Sequence, residues 1–156
     1  MKRNNASLFN YIVVVIGFLS VVIAFLPALM YSDSETVFKG YELIIGTQFL
    51  NLGSIASGQI EPNMIIGIGY LLPIVACLLL VFSKKSALIS LVLFIVSIGL
   101  LFLTPEFVVT SVTVVGVTNV IDVQWSMAYG LYVAIGLSFL GALFSIYPIA
   151  SRSFQD

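Results

Sequence analysis

Four mainly apolar stretches of 17 or more residues carry no Asp, Glu, Lys or Arg. They are about 9–30 (FNYIVVVIGFLSVVIAFLPALM), 64–82 (MIIGIGYLLPIVACLLLVF), 87–103 (ALISLVLFIVSIGLLFL) and 126–149 (SMAYGLYVAIGLSFLGALFSIYPI). A helix crosses the hydrocarbon core with about 20 mainly apolar residues, within a usable range of about 17 to 25. Lipid offers a backbone no outside hydrogen-bond partner, so a spanning segment must satisfy its own amides as a helix. Charged residues make up 8% of the chain, against about 25% in an ordinary soluble domain. These features predict one membrane domain over 1–156, an all-α four-helix bundle in the bilayer with a small extracytoplasmic β cap. The first stretch follows Lys2 and Arg3 as a signal peptide would, but its apolar run exceeds the usual signal core of about 7–15 residues, so a retained helix is expected.

Cations set the expected orientation, because cytoplasmic flanks of spans are enriched in Lys and Arg. Lys2, Arg3, Lys84, Lys85 and Arg152 all fall on one side of the four stretches. The outer loops, 31–63 and 104–125, hold Lys39 against Asp33, Glu35, Glu42, Glu61, Glu106 and Asp122. The expectation is a multi-pass protein of the cell membrane with both termini cytoplasmic. The sequon Asn5-Ala6-Ser7 then lies on the cytoplasmic side, away from glycosylation. A net charge of −1 with no basic stripe argues against a nucleic-acid partner. Residues 83–86 leave room only for a tight turn, so the second and third stretches form an antiparallel pair. Tyr11, Tyr31, Tyr70, Trp125, Tyr129 and Tyr147 stand near span ends, where amphipathic rings anchor at the interface.

Helices in lipid associate through close packing of small residues. Gly130, Ala134, Ser138 and Ala142 recur at i+4 in the fourth stretch, and Ser20, Ala24 and Ala28 do so in the first. They are expected to pack helices within the chain, with a homodimer seam as the alternative. Pro27 and Pro148 are read as helix ends. Pro73 lies deeper, after Gly67 and Gly69, and is a candidate hinge or kink.

The loops are too apolar to be linkers. In the first, Gly40, Gly46, Gly53 and Gly58 punctuate YELIIGTQFLNLGSIASG into short strands or turns. In the second, PEFVVTSVTVVGVTNVIDVQW alternates β-branched residues, with Gly116 and Thr118-Asn119 as turn chemistry. That predicts a hairpin. A lone hairpin is marginal in water, so strands of the first loop are expected to complete a sheet. Phe38, Tyr41, Leu43, Ile44, Phe49, Val112, Val114 and Trp125 are the candidate partner surface.

Catalytic chemistry is hard to assemble from these residues. The four stretches hold no ionisable Asp, Glu, Lys or Arg for coupled transport. Cys77 is the sole cysteine and there is no histidine, so a dithiol centre and a His-based metalloprotease motif are both missing. The acids read as solvated charges, although Glu61-Pro62-Asn63 and Pro105-Glu106 are expected near each other at one membrane face. No catalytic residue, cofactor or metal is assigned. The expected function is a non-enzymatic accessory or scaffold subunit whose outer loops meet a protein partner or further copies; the alternative is an oligomeric channel or small-solute pathway.

The order of helices, longer first outer loop, short inner turn and strand-bearing second outer loop resembles the claudin-like four-span topology. FKGYEL at Phe38–Leu43 is similar to the aromatic-glycine segment of that first loop, which here has no tryptophan and no cysteine pair. LPALMYSDSETVFKGYELIIG also resembles small four-span membrane proteins of Gram-positive-type bacteria. The claudin-like resemblance implies lateral association through outer-sheet contacts and carries no site residue over.

Overall fold

The structure, a computed structural model, describes residues 2–31, 36–53 and 55–153. Asp33 and Glu35 lie outside the described residues, as do the side chains of Lys2, Arg3, Lys84 and Arg152.

The chain is not an all-α four-helix bundle. Its described residues form six helices and seven strands, the strands in two antiparallel sheets of three and four. The helices are α1 (Lys2–Ile23), α2 (Gly40–Ile45), α3 (Met64–Phe82), α4 (Ala87–Phe102), α5 (Thr104–Phe107) and α6 (Tyr129–Ser153). The strands are β1 (Pro27–Tyr31), β2 (Val37–Lys39), β3 (Thr47–Asn51), β4 (Ala56–Ile60), β5 (Thr110–Val114), β6 (Val117–Ile121) and β7 (Trp125–Met127). Among the described residues, only Met64–Phe82 and Tyr129–Ile149 are helices long and apolar enough to cross a membrane; Tyr11–Ile23 and Ala87–Phe102 are shorter apolar helices.

The discrepancy arises at the C-terminal end of the first stretch and the N-terminal end of the fourth. After Ile23 the chain tightens, with Ala24, Phe25 and Leu26 each donating to the carbonyl three residues back. Pro27 then brings no N–H and disfavours helix in the residue before it. PALMY therefore becomes β1, pairing with β2 and, through Leu29↔Met127 and Tyr31↔Trp125, with β7. Ala28 belongs to this strand and Ala24 lies just past α1, so the small-residue row expected to continue along the first helix stops at Ser20. A short apolar run buries equally well as helix or strand, and period alone cannot separate them.

All strands are inserted between the C-terminus of α1 and the N-terminus of α3, or between the C-terminus of α4 and the N-terminus of α6. The β layer thus sits at one end of the long helices. At the other end Ser83 and a single 3₁₀ turn at Lys84–Ser86 join α3 to α4. The order β3-β4-β5-β6 draws strands from both loops. Val115-Gly116 forms the β5–β6 turn, while Thr118 and Asn119, expected in it, lie in β6.

Small residues bring the helices together. Gly130, Ala134, Ser138 and Ala142 are all buried inside the chain, which leaves none of that row exposed to a second copy. Gly17 faces Cys77 so closely that an added Cβ would stand 3.0 Å from the cysteine Cβ. The outward sides of α1, α3, α4 and α6 are apolar and exposed, including Phe18, Leu71, Leu78, Val92, Ile95, Phe139 and Leu143. That is the reverse of a water-soluble pattern.

Pro73 is fully buried in α3. Lacking an N–H, it leaves the Gly69 carbonyl four residues earlier without its helical donor. Ser97 of α4 supplies one, its Oγ donating to Gly69 O at 2.8 Å. Ser138 of α6 stands 3.2 Å from the same Oγ and donates to Ala134 O at 3.0 Å, so the two hydroxyls meet where α3, α4 and α6 come together beside Pro73. Neighbouring hydroxyls commonly satisfy carbonyls freed by proline in lipid. The Pro73 turn is therefore pinned to α4, which supports a static helix over a hinge. Ser97→Ala strands a buried carbonyl and should cost about 1–3 kcal/mol. Thermal unfolding in detergent measures this, and an unchanged midpoint would mean that the pin contributes nothing.

A candidate partner-binding groove

The face of the four-stranded sheet that looks toward the three-stranded one is set by strand alternation. Thr110 and Val112 lie on one face of β5, and Ile121 of β6 is the cross-strand neighbour of Thr110. Opposite them stand Tyr31 of β1, Phe38 of β2 and Trp125 of β7, which the β2-β1-β7 order brings side by side. The rings contact edge to face: Phe38 and Trp125 have centroids 5.5 Å apart, and Tyr31 and Trp125 6.3 Å. Phe49 of β3 completes the wall, 6.3 Å from Phe38. It folds across Gly58, where an added Cβ would stand 2.6 Å from the Phe49 ring tip and push it outward.

Between these walls lies an open, mainly apolar groove of about 300 Å³ that also touches Thr36 and Val123. Two polar atoms in its lining are buried without a hydrogen-bond partner among the described residues, Thr110 Oγ1 and Trp125 Nε1. Thr110 itself is 3% exposed. A buried polar atom left unpaired costs about 1–3 kcal/mol, and burial closes both atoms to anything seated in the groove. Such a lining, aromatic and aliphatic with a few convergent polar atoms, is the usual form of a binding pocket.

A second hollow, of about 420 Å³, adjoins the groove and shares Val123 and Trp125 with it. It is polar and carries the carboxylates of Glu106 and Asp122. Glu106 N–H donates to Leu103 O, but neither carboxylate has an ion pair or hydrogen bond within the described residues, so this corner is a negative patch.

The candidate partner surface divides in the structure. Phe38, Phe49, Val112 and Trp125 meet in the groove. Leu43 is wholly buried in the core, and Ile44 is half-buried against Gly67. Tyr41 is half-buried beside Phe25, its ring centroid 5.4 Å away, and its hydroxyl donates to Glu42. Val114 is exposed on the far end of β5. Sequence reading missed Tyr31, Thr110 and Ile121 as groove residues. Tyr31 was legible only as an interfacial ring, and the other two only as alternating strand positions. Tyr70, read as another anchor, is buried at 3% exposure with its hydroxyl close to Gly40.

The acid-bearing segments before α3 and after α4 do meet, with Glu61 N–H donating to Val109 O at 2.9 Å. Asn63, however, is fully used: its Oδ1 caps α3 by accepting from Ile65 N–H, and its Nδ2 donates to Phe107 O at 2.7 Å. No group of three or more His, Cys, Asp or Glu suited to a metal ion occurs among the described residues.

No protein-family model, curated protein or solved structure matches this chain.

Proposed function

We propose that the chain is a non-enzymatic, multi-pass protein of the cell membrane, with both termini cytoplasmic, that acts as an accessory or scaffold subunit. In this reading the β layer lies outside the membrane and its aromatic groove holds part of a protein partner. The membrane placement is supported by the two spanning-length helices and by the exposed apolar flanks of all four long helices. The orientation is supported by Lys85, exposed at the α3–α4 turn opposite the β layer, and by the cation distribution along the chain.

The observation that carries the partner-binding role is the groove. Its rings converge on an open apolar hollow between the two sheets. Aromatic anchors around a desolvated pocket are where protein interfaces concentrate their energy.

A photo-crosslinking residue placed at the half-exposed Phe49 position tests this in native membranes, with Leu88 on the outer side of α4 as the control position. An adduct with a foreign chain at 49 but not at 88 is expected. Adducts with further copies alone would replace the accessory role by self-assembly, and the absence of any adduct specific to position 49 would overturn the groove as a binding site.

A further inference from the structure

We propose that the groove's occupant is an extended segment of a partner protein that adds to β6 as a fifth strand. It places a bulky apolar side chain in the groove and a Lys or Arg two positions along in the notch of Glu106 and Asp122. This rests on the groove being a protein-binding site and specifies how it binds.

The free edges of the four-stranded sheet are unequal. β3 is interrupted by a register shift between Gln48 and Leu50, a bulge of the kind that blunts an edge. β6 pairs without interruption from Val117 to Ile121. Its sequence, VTNVI, has no Lys, no Pro and no charge, and all five residues are exposed. It lacks the devices by which soluble sheets guard an edge.

Positive φ angles at Val115 (48°) and Gly116 (80°) give a two-residue loop of the mirror-image type. Val114 and Val117 then form the closing hydrogen-bonded pair, and by alternation the N–H and C=O groups of Thr118 and Val120 point away from β5. No backbone partner meets them among the described residues. A strand laid there would satisfy these groups.

The side chains of such a strand that share the face of Thr110 and Ile121 would enter the groove, and the next on that face lies about 7 Å along. The groove and the acidic notch adjoin through Val123 and Trp125, just past the end of β6. One apolar and one basic side chain at alternate positions therefore meet an apolar hollow and two unpaired carboxylates in turn. Main-chain pairing with alternate side chains in pockets is the general mode of strand addition. Charge complementarity selects a basic segment, since Lys39 is the sole cation in the two loops that form the layer.

The test uses the full-length chain in nanodiscs and a labelled synthetic peptide of alternating Thr and Val carrying one Phe and, two residues on, one Lys. Saturable binding is expected, weakened at least about tenfold by Phe→Ala in the peptide or by Val120→Pro in the protein. Asp122→Asn with Glu106→Gln should weaken it and remove most of its salt dependence. N-methylation of alternate peptide amides does not depend on how the protein variants fold: one alternate set should abolish binding and the other should leave it unchanged. Binding that survives both sets, or Val120→Pro, overturns strand addition. If no peptide binds while position 49 still crosslinks a foreign chain, strand addition falls and the groove reading stands; if both fail, both fall.

Discussion

Gly130→Leu is expected to lower the unfolding free energy of the purified protein by about 3 kcal/mol, the upper end of what overpacking usually costs. Gly130 opens α6 where the helix passes the turn before β1, and a Cβ there would run into the Pro27 carbonyl and Leu26. The obstacle is backbone. A flexible side chain can swing away from an added methyl, but Pro27 is held by its ring and by β1 pairing on both sides. Gly136, on the same helix, has nothing within 4 Å of an added Cβ. Gly136→Leu should therefore fall within about 0.5 kcal/mol of the parent. Denaturant or thermal unfolding in detergent compares the two. Equal stabilities would mean that α6 does not start against β1 in the way described.

Trp125→Ala should reduce capture of the partner about 30-fold, the equivalent of a 2 kcal/mol hot spot. Trp125 touches Phe38 and Tyr31, lines both the groove and the acidic notch, and presents the buried unpaired Nε1. Removing it deletes the ring wall and a donor together. Trp125→Phe keeps most of the wall, so a smaller loss is expected. The readout is the yield of the position-49 adduct in native membranes, with thermal unfolding as the check that the sheets persist. Full capture by Trp125→Ala would remove this residue from the interface and leave the groove without its centre.

Much of the helical part was legible along the chain. Met64–Phe82 coincides with the apolar run that predicted it, and Ala87–Phe102 ends one residue short of its run. The 83–86 linkage forces the α3–α4 hairpin whatever the remainder does. The packing role of Gly130, Ala134, Ser138 and Ala142 was legible because small residues at i+4 have few other uses in an apolar helix. What was not legible is where α1 and α6 give way to strand. Pro27 marks where a helix must stop, but ALMY and SM carry no signal separating buried strand from buried helix, and the partners that decide between them are about a hundred residues apart in the Leu29↔Met127 pairing.

Half of the candidate surface shows the same limit. Phe38, Phe49, Val112 and Trp125, chosen because aromatic and β-branched residues in loops need cover, line one groove. Leu43 was chosen on the same ground and turned out to be core. Apolar character says that a side chain must be covered, not whether its own chain or another covers it. The unpaired state of Thr110 and Trp125, and the hollow that Glu106 and Asp122 both line, are properties of how segments meet.

Taken alone, then, the residues determined that long apolar helices must lie side by side away from water, that a short cation-bearing turn joins two of them, and that two apolar loops must fold over each other. These follow from run length, charge and period, which act locally. Only the tertiary structure decided that the chain is a mixed α and β fold and not an all-helical bundle. It also decided which loop aromatics face a shared hollow and which sheet edge is left open. Those outcomes depend on hydrogen bonds and contacts between segments distant in the chain, whose energies no single segment carries.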